Sequence, residues 1–328
     1  MGSRNRIGLL VLALLVVVAP WLFAGWYYKL TQAGIYALIC IGLSLLLGYA
    51  GQISLGHAAF YAIGAYTSAI LTAKAGWSPW LAIWVGVALS MIVALAVGLP
   101  SLRLHGHYLA MATLAFGEIV SVIAKAWVNV TGGPSGFGDV PRWSAFGFRL
   151  RAFGTDREAF YFVWGIVLIG LIVALHLIHS RVGRALRSIH DGEQAANVLG
   201  VPTGAYKVKV FVLSAAYASV AGSVYAHWSG YINPSPFDVE HSILFIIMVI
   251  AGGMRSVWGA VVGACVMGLM PELLADLEKW RFVIYGLILL LILMFVPQGI
   301  LLGMRDLVRW ALGKLKREAD GNAVAGTQ

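Results

Sequence analysis

Apolar positions along this chain gather into long runs separated by short polar stretches. The runs cover about residues 7–23, 30–50, 48–71, 79–99, 108–128, 159–179, 208–228, 241–252, 257–274 and 282–302. Most approach the roughly 20 apolar residues that a helix needs to cross a bilayer. They lack the alternating segments of about ten residues that mark a membrane β-barrel. Lipid leaves helices as the remaining way to satisfy every backbone group. The pattern therefore predicts an all-α polytopic membrane protein with about ten transmembrane or re-entrant helices. Arg4 and Arg6 precede the first run, and Trp26, Tyr27 and Tyr28 follow it in place of a small-residue cleavage site. That arrangement predicts an uncleaved first span with an aromatic belt at its outer end.

Two runs are interrupted by glycine. Gly48, Gly51, Gly56 and Gly64 punctuate the third, where Tyr49, Gln52, Ser54 and His57 add polar groups. The stretch reads either as a broken helix lining a pathway or as tight helix packing with satisfied polar groups. A second glycine-broken element covers 252–268. The second to fifth runs and the seventh to tenth start on opposite sides, as in inverted repeats around a central pathway. The fifth run carries Glu118, and a charge at the bilayer centre costs about 2.5–3.5 kcal/mol on insertion scales. Glu118 either lines the pathway or pairs with Lys125. The longest polar gap, 129–158, contains TGGPSGFG at 131–138, a loop expected to present backbone N–H groups and a hydroxyl at Gly132, Gly133, Ser135 and Gly136, or else a plain tight turn.

The stretch 183–204, GRALRSIHDGEQAANVLGVPTG, is polar yet helix-forming. Asp191 is placed to cap a short helix, with Gln194 completing a capping box and Glu193 in the first turn. Ala195, Ala196, Val198 and Leu199 form a small apolar face. Gly200 can close the helix in a left-handed conformation, and Pro202 prevents its continuation. Such a helix serves as a docking element for a cytoplasmic motor, or lies in the interface as an ordinary amphipathic helix.

Composition narrows the functional classes. Hydrophobic residues make up 60% and charged residues 11% of the chain, against about 25% charged in soluble domains. The mean hydropathy is +0.84. The net charge of +9 sits mostly in the connections and the tail, so it follows the positive-inside rule rather than pointing to nucleic acid. With the N-terminus inside and ten crossings, Arg103, 181–207, Arg255 and the basic tail (Arg305, Arg309, Lys314, Lys316, Arg317) fall inside. The 129–158 loop, the Pro234 loop and the acidic 272–279 segment fall outside. Cys40 and Cys265 lie within apolar runs as packing residues. No zinc, P-loop or dinucleotide motif is present, so no metal site and no ATP site belongs to this chain. A membrane enzyme built from His105, His107, His176, His179, His190 and Glu118 is opposed by their dispersal. A stand-alone secondary transporter is opposed by the docking helix.

Two motifs carry a resemblance. Glu193, Ala195, Ala196 and Gly200 (E-x-A-A-x-x-x-G) resemble the EAA loop of permeases in binding-protein-dependent ABC importers, with Gln194 where that family has Ala. GYAGQISLGHAAFYAIGAY, from Gly48, resembles the signature of the LivM branch of branched-chain amino acid permeases. The resemblance spans about 30–303. It implies a permease core over 30–303, an N-terminal span and aromatic belt over 1–29, a coupling loop at 181–207 and a basic cytoplasmic tail over 304–328, expected to be disordered at its end. It also implies a second, LivH-like permease, two ATPase subunits that hold ATP and Mg and bind the helix formed by Asp191, Glu193, Ala195, Ala196, Leu199 and Gly200, and a solute-binding protein at the outer loop. The implied location is the bacterial inner membrane, with both termini cytoplasmic. The implied cargo is a branched-chain or related amino acid.

Overall fold

The computed structural model describes residues 3–22, 25–101, 107–145, 148–149 and 157–273, with isolated positions between 280 and 303. Twelve helices lie within these residues. They are α1 (Ser3–Leu22), α2 (Tyr27–Ser44, continued by a π-helical turn Leu45–Tyr49), α3 (His57–Ala73), α4 (Pro79–Ser101), α5 (His107–Ala126), α6 (Val128–Thr131), α7 (Arg157–His179), α8 (Arg181–Asp191), α9 (Glu193–Val198), α10 (Thr203–Ser229), α11 (Val239–Gly252) and α12 (Val257–Leu273). Among the described residues the one strand pair is a two-residue ladder, Ser144–Ala145 against Phe148–Arg149.

The first nine apolar runs each fall on a helix. Among the described residues, five helices are long and apolar enough to cross a membrane, and a sixth crossing arises if α11 and α12, bent by 118° at their junction, count together. At a rise of about 1.5 Å per residue, α3 and α11 are too short to span the hydrocarbon core of about 30 Å. Arg103, His105, most of the tenth run, 274–279 and the basic tail lie outside the described residues.

Contacts define how the helices run. The ring of Tyr28, at the start of α2, lies 4.6 Å from that of Trp228, at the end of α10, and Gly42 faces Ser214 and Tyr217. The two helices are therefore antiparallel. On α10, α3 packs parallel, because His57 meets Ser214 and Ser68 meets His227. α4 packs antiparallel on α10, with Gly86 beside Ser223 and Leu95 beside Val212. The second half repeats this on α2. α11 runs parallel to it, with Tyr36 against Phe245 and Cys40 against Met248. α12 runs antiparallel, with Gly48 at Met254 and Gly268 at Tyr36. Thus α2–α3–α4 and α10–α11–α12 are arranged as two oppositely directed units, the packing expected of an inverted repeat.

Small residues permit this closeness. A Cβ on Gly222 would overlap the Tyr61 carbonyl, and one on Gly64 would overlap the Ser219 backbone. Without water to drive association, such close backbone approach is what holds membrane helices together. Buried hydrogen bonds add direction. Ser223 Oγ donates to the Gly64 carbonyl at 3.1 Å. His227 Nδ1 donates to the Pro141 carbonyl, which leaves Nε2 to accept from Ser68 Oγ at 2.8 Å. On α1, Ile7, Leu10, Leu14 and Leu15 are exposed, so this helix turns an apolar face outward. Asn5 lies within 3.3 Å of His179, placing the start of α1 at the end of the molecule where α8 begins.

Candidate functional site

The stretch 180–207 folds as a two-helix unit under the transmembrane body. Ser180 Oγ caps α8 by accepting from the Val182 amide at 3.1 Å. Gly183, Leu186 and Ile189 form its buried stripe, and the Arg187 guanidinium donates to the carbonyls of Ile178 and Gly183, covering the C-terminus of α7. This helix went unread in the sequence, where its arginines stood out more than its apolar stripe. The expected cap is also corrected. Asp191 is the last residue of α8, Gly192 is the N-cap of α9, and no side chain caps that helix. Gly192 is extended, with φ −178°, so the chain breaks one residue later than a cap at Asp191 would require. The Asp191 carboxylate instead accepts from Arg255 at 3.0 Å, with both side chains 66% exposed.

The rest of the expected docking helix divides by environment. Ala196 is buried and Ala195 is exposed. Val198 and Leu199 are 88% and 82% exposed. Gly200 takes φ +84°; its amide bonds to the Asn197 carbonyl and that of Val201 to Ala196, a Schellman closure. Glu193 pairs with Lys207 of α10, whose side chain is only 2% exposed.

Above this unit lies a cavity of about 270 Å³ lined by Gly48, Tyr49, Ile178, His179, Arg187, His190, Asp191 and Arg255. Tyr49 Oη donates to the Arg255 carbonyl at 3.1 Å. Gly51, with φ +67°, leaves room for the His190 ring. Burial first, then the Arg255 guanidinium, lower the His190 pKa from its ordinary 6.5, against the opposing pull of Asp191.

The other glycine-break residues are enclosed. His57 Nε2 lies 2.6 Å from Ser214 Oγ, and the Ala58 amide donates to Ser242 Oγ at 3.0 Å. The first turn of α3 thereby meets the first turn of α11, which Asp238 caps through the His241 amide. Gln52, Ser54 and His57 are buried, and no described residue bonds Gln52 Oε1 or Ser54 Oγ.

Glu118 behaves differently. It is exposed on α5, to one side of the face on which Thr113, Gly117 and Ser121 pack inward. The expected pairing with Lys125 does not form, because seven residues of helix separate their backbones by about 10 Å. No described residue forms a hydrogen bond or ion pair with Glu118.

The loop 131–138 is built of tight turns, one of the two readings its sequence allows. Gly132, Gly133 and Gly136 have φ of +78°, +62° and +67°. Their amides are bonded locally, to the Val128 carbonyl, Thr131 Oγ1 and the Gly133 carbonyl. The tight left-handed turns draw these N–H groups inward. Ser135 is exposed, and its carbonyl accepts from Tyr231. Phe137 pairs with Ile232, and the Val140 amide donates to Gly230.

A multi-pass helical membrane protein of two inverted units, with a polar helix pair at one end, has the architecture of a transport permease. Residues 27–296 match the family model described as branched-chain amino acid transport system / permease component, and the chain belongs to that family. The LivM permease protein of the high-affinity branched-chain amino acid transport system of Salmonella typhimurium is 30% identical over 97% of this chain and 80% of its own length. Its Escherichia coli K12 counterpart shows the same identity and coverage. The LivH permease protein of Salmonella typhimurium is 27% identical over 83% of this chain and 92% of its own length. No solved structure matches.

Proposed function

We propose that this chain is the LivM-type half of a heteromeric ABC importer, paired in the bacterial inner membrane with a LivH-like permease. Two ATPase subunits dock on α8–α9 from the cytoplasm, and a solute-binding protein docks at the outer loop. ATP and Mg belong to the ATPases; this chain contributes geometry and coupling. The cargo is a branched-chain or related amino acid, in keeping with the systems to which its relatives belong.

The observation that carries this reading is the tip of α9. Val198 and Leu199 protrude from a helix shorter than two turns, closed by Gly200 and joined to the transmembrane core at Lys207. An exposed apolar pair at the end of a short helix in the polar 180–207 stretch is the kind of patch that fits a cleft on a partner. Glu118 takes the pathway role. An exposed carboxylate within a span must meet water or protein, and the ammonium group of an amino acid is a fitting counter-charge. Copurification of the ATPases with the chain, and its loss when the α9 tip is changed, tests the reading.

A further inference from the structure

We infer that Glu193 works inside the chain, as a brace between the docking helix and α10, and that the motor contacts the α9 tip instead. The inference rests on the docking role proposed above and assigns its parts. Glu193 opens α9, while Lys207 sits in the second turn of α10. The chain between them, 199–202, contains left-handed Gly200 and Pro202. A Cβ on Gly200 would meet nothing within 4 Å, so the link faces open space at its turn and is held there by backbone bonds of its own. The Lys207–Glu193 pair bypasses it. Lys207 is 2% exposed and Glu193 32%; with its ammonium end enclosed, the pair is less screened than one wholly in water.

A second connection leaves the unit in another direction. Asp191 holds Arg255 in the turn between α11 and α12. That turn lies against the end of α2: the Met254 carbonyl sits where a Cβ on Gly48 would be, and the Arg255 carbonyl accepts from Tyr49. This pair is exposed and correspondingly weak. A movement of α9 therefore passes firmly to α10 through Lys207, and more loosely to the second unit through Arg255. Glu193 and Lys207 are positioning residues: they transmit the motor's stroke and touch neither motor nor cargo.

The test uses the assembled importer in proteoliposomes, with Glu193→Gln, Lys207→Met and the exchange Glu193→Lys/Lys207→Glu. Both single variants should retain the ATPases at the wild-type ratio. Their ATP hydrolysis should no longer respond to the solute-loaded binding protein, and uptake should fall at least tenfold. The exchanged pair should recover at least a third of wild-type uptake, a rescue that a direct motor contact through Glu193 would not permit. Should Glu193→Gln fail to accumulate in the membrane, Lys207→Met carries the test, because the carboxylate it leaves behind is partly hydrated. The inference is overturned if Glu193→Gln sheds the ATPases while Lys207→Met keeps them, if both single variants transport normally, or if the exchange restores nothing. Absence of ATPases from the wild-type chain would instead remove the parent reading before any variant is compared.

Discussion

Changing Val198 and Leu199 together to aspartate removes the apolar tip of α9 without disturbing the body beneath it. The two side chains are 88% and 82% exposed, so the folded chain owes them little, and surface changes of this kind usually shift stability by about 0.5 kcal/mol or less. Inside a partner's cleft the same side chains would each contribute about 1.5–3 kcal/mol by leaving water. Losing both removes at least about 3 kcal/mol, or roughly two powers of ten in Kd, before the desolvation of two carboxylates is added. The assay titrates purified ATPase onto the detergent-solubilised permease and follows the permease's own melting in parallel. Melting should stay within about 2 °C of wild type, while ATPase affinity falls at least a hundredfold. Affinity within threefold of wild type would refute the docking assignment. A large drop in melting temperature would show that the tip belongs to the folded core after all.

Three further outcomes test other parts of the molecule. Glu118→Gln should raise the KM for uptake at least fivefold while ATPase retention is unchanged; an unchanged KM would remove Glu118 from the pathway. Gly222→Val should destabilise the α3–α10 seam by about 1–3 kcal/mol, the usual cost of overpacking, because its Cβ would overlap the Tyr61 carbonyl; Gly204→Ala, where nothing lies within 4 Å, should melt at or slightly above the wild-type temperature. His190 has a pKa below its ordinary 6.5, so the unfolded chain takes up a proton more readily than the folded one. Its contribution to stability is therefore complete above that pH and lost as the pH falls through the folded pKa. Melting curves across pH 7 to 5 should show His190→Gln losing less stability than wild type on acidification, and parallel curves would count against this.

Local sequence carried much of the helix plan, because lipid demands long apolar runs and glycine marks where they break. It carried less of the docking unit. The stripe Gly183, Leu186, Ile189 was present at helical spacing, but arginines between its members hid it. Asp191 looked like a cap by identity; its role as a partner of Arg255, 64 residues away, depends on the fold of the second unit. Lys207 gave no local sign of being buried, since it lies in a basic stretch with Lys209. Only the return of α9 against α10 encloses it. Glu118 and Lys125 share a helix face by spacing, yet spacing along a face is not proximity.

The opposite orientation of the two units has a geometric consequence at the membrane surfaces. The break after α2, at Gly51, opens on the side where His190 rests. Its counterpart after α10, at Gly230, opens on the other side, where Val140 and Phe137 of the outer loop bond to Gly230 and Ile232. Each surface thus addresses a different half of the same chain, like two hands on opposite ends of a rocker. On the importer reading proposed above, a push on α9 and a contact at the Phe137 loop need not cross the full thickness of the bilayer to inform one another. They meet midway, where the first turns of α3 and α11 touch through Ala58 and Ser242.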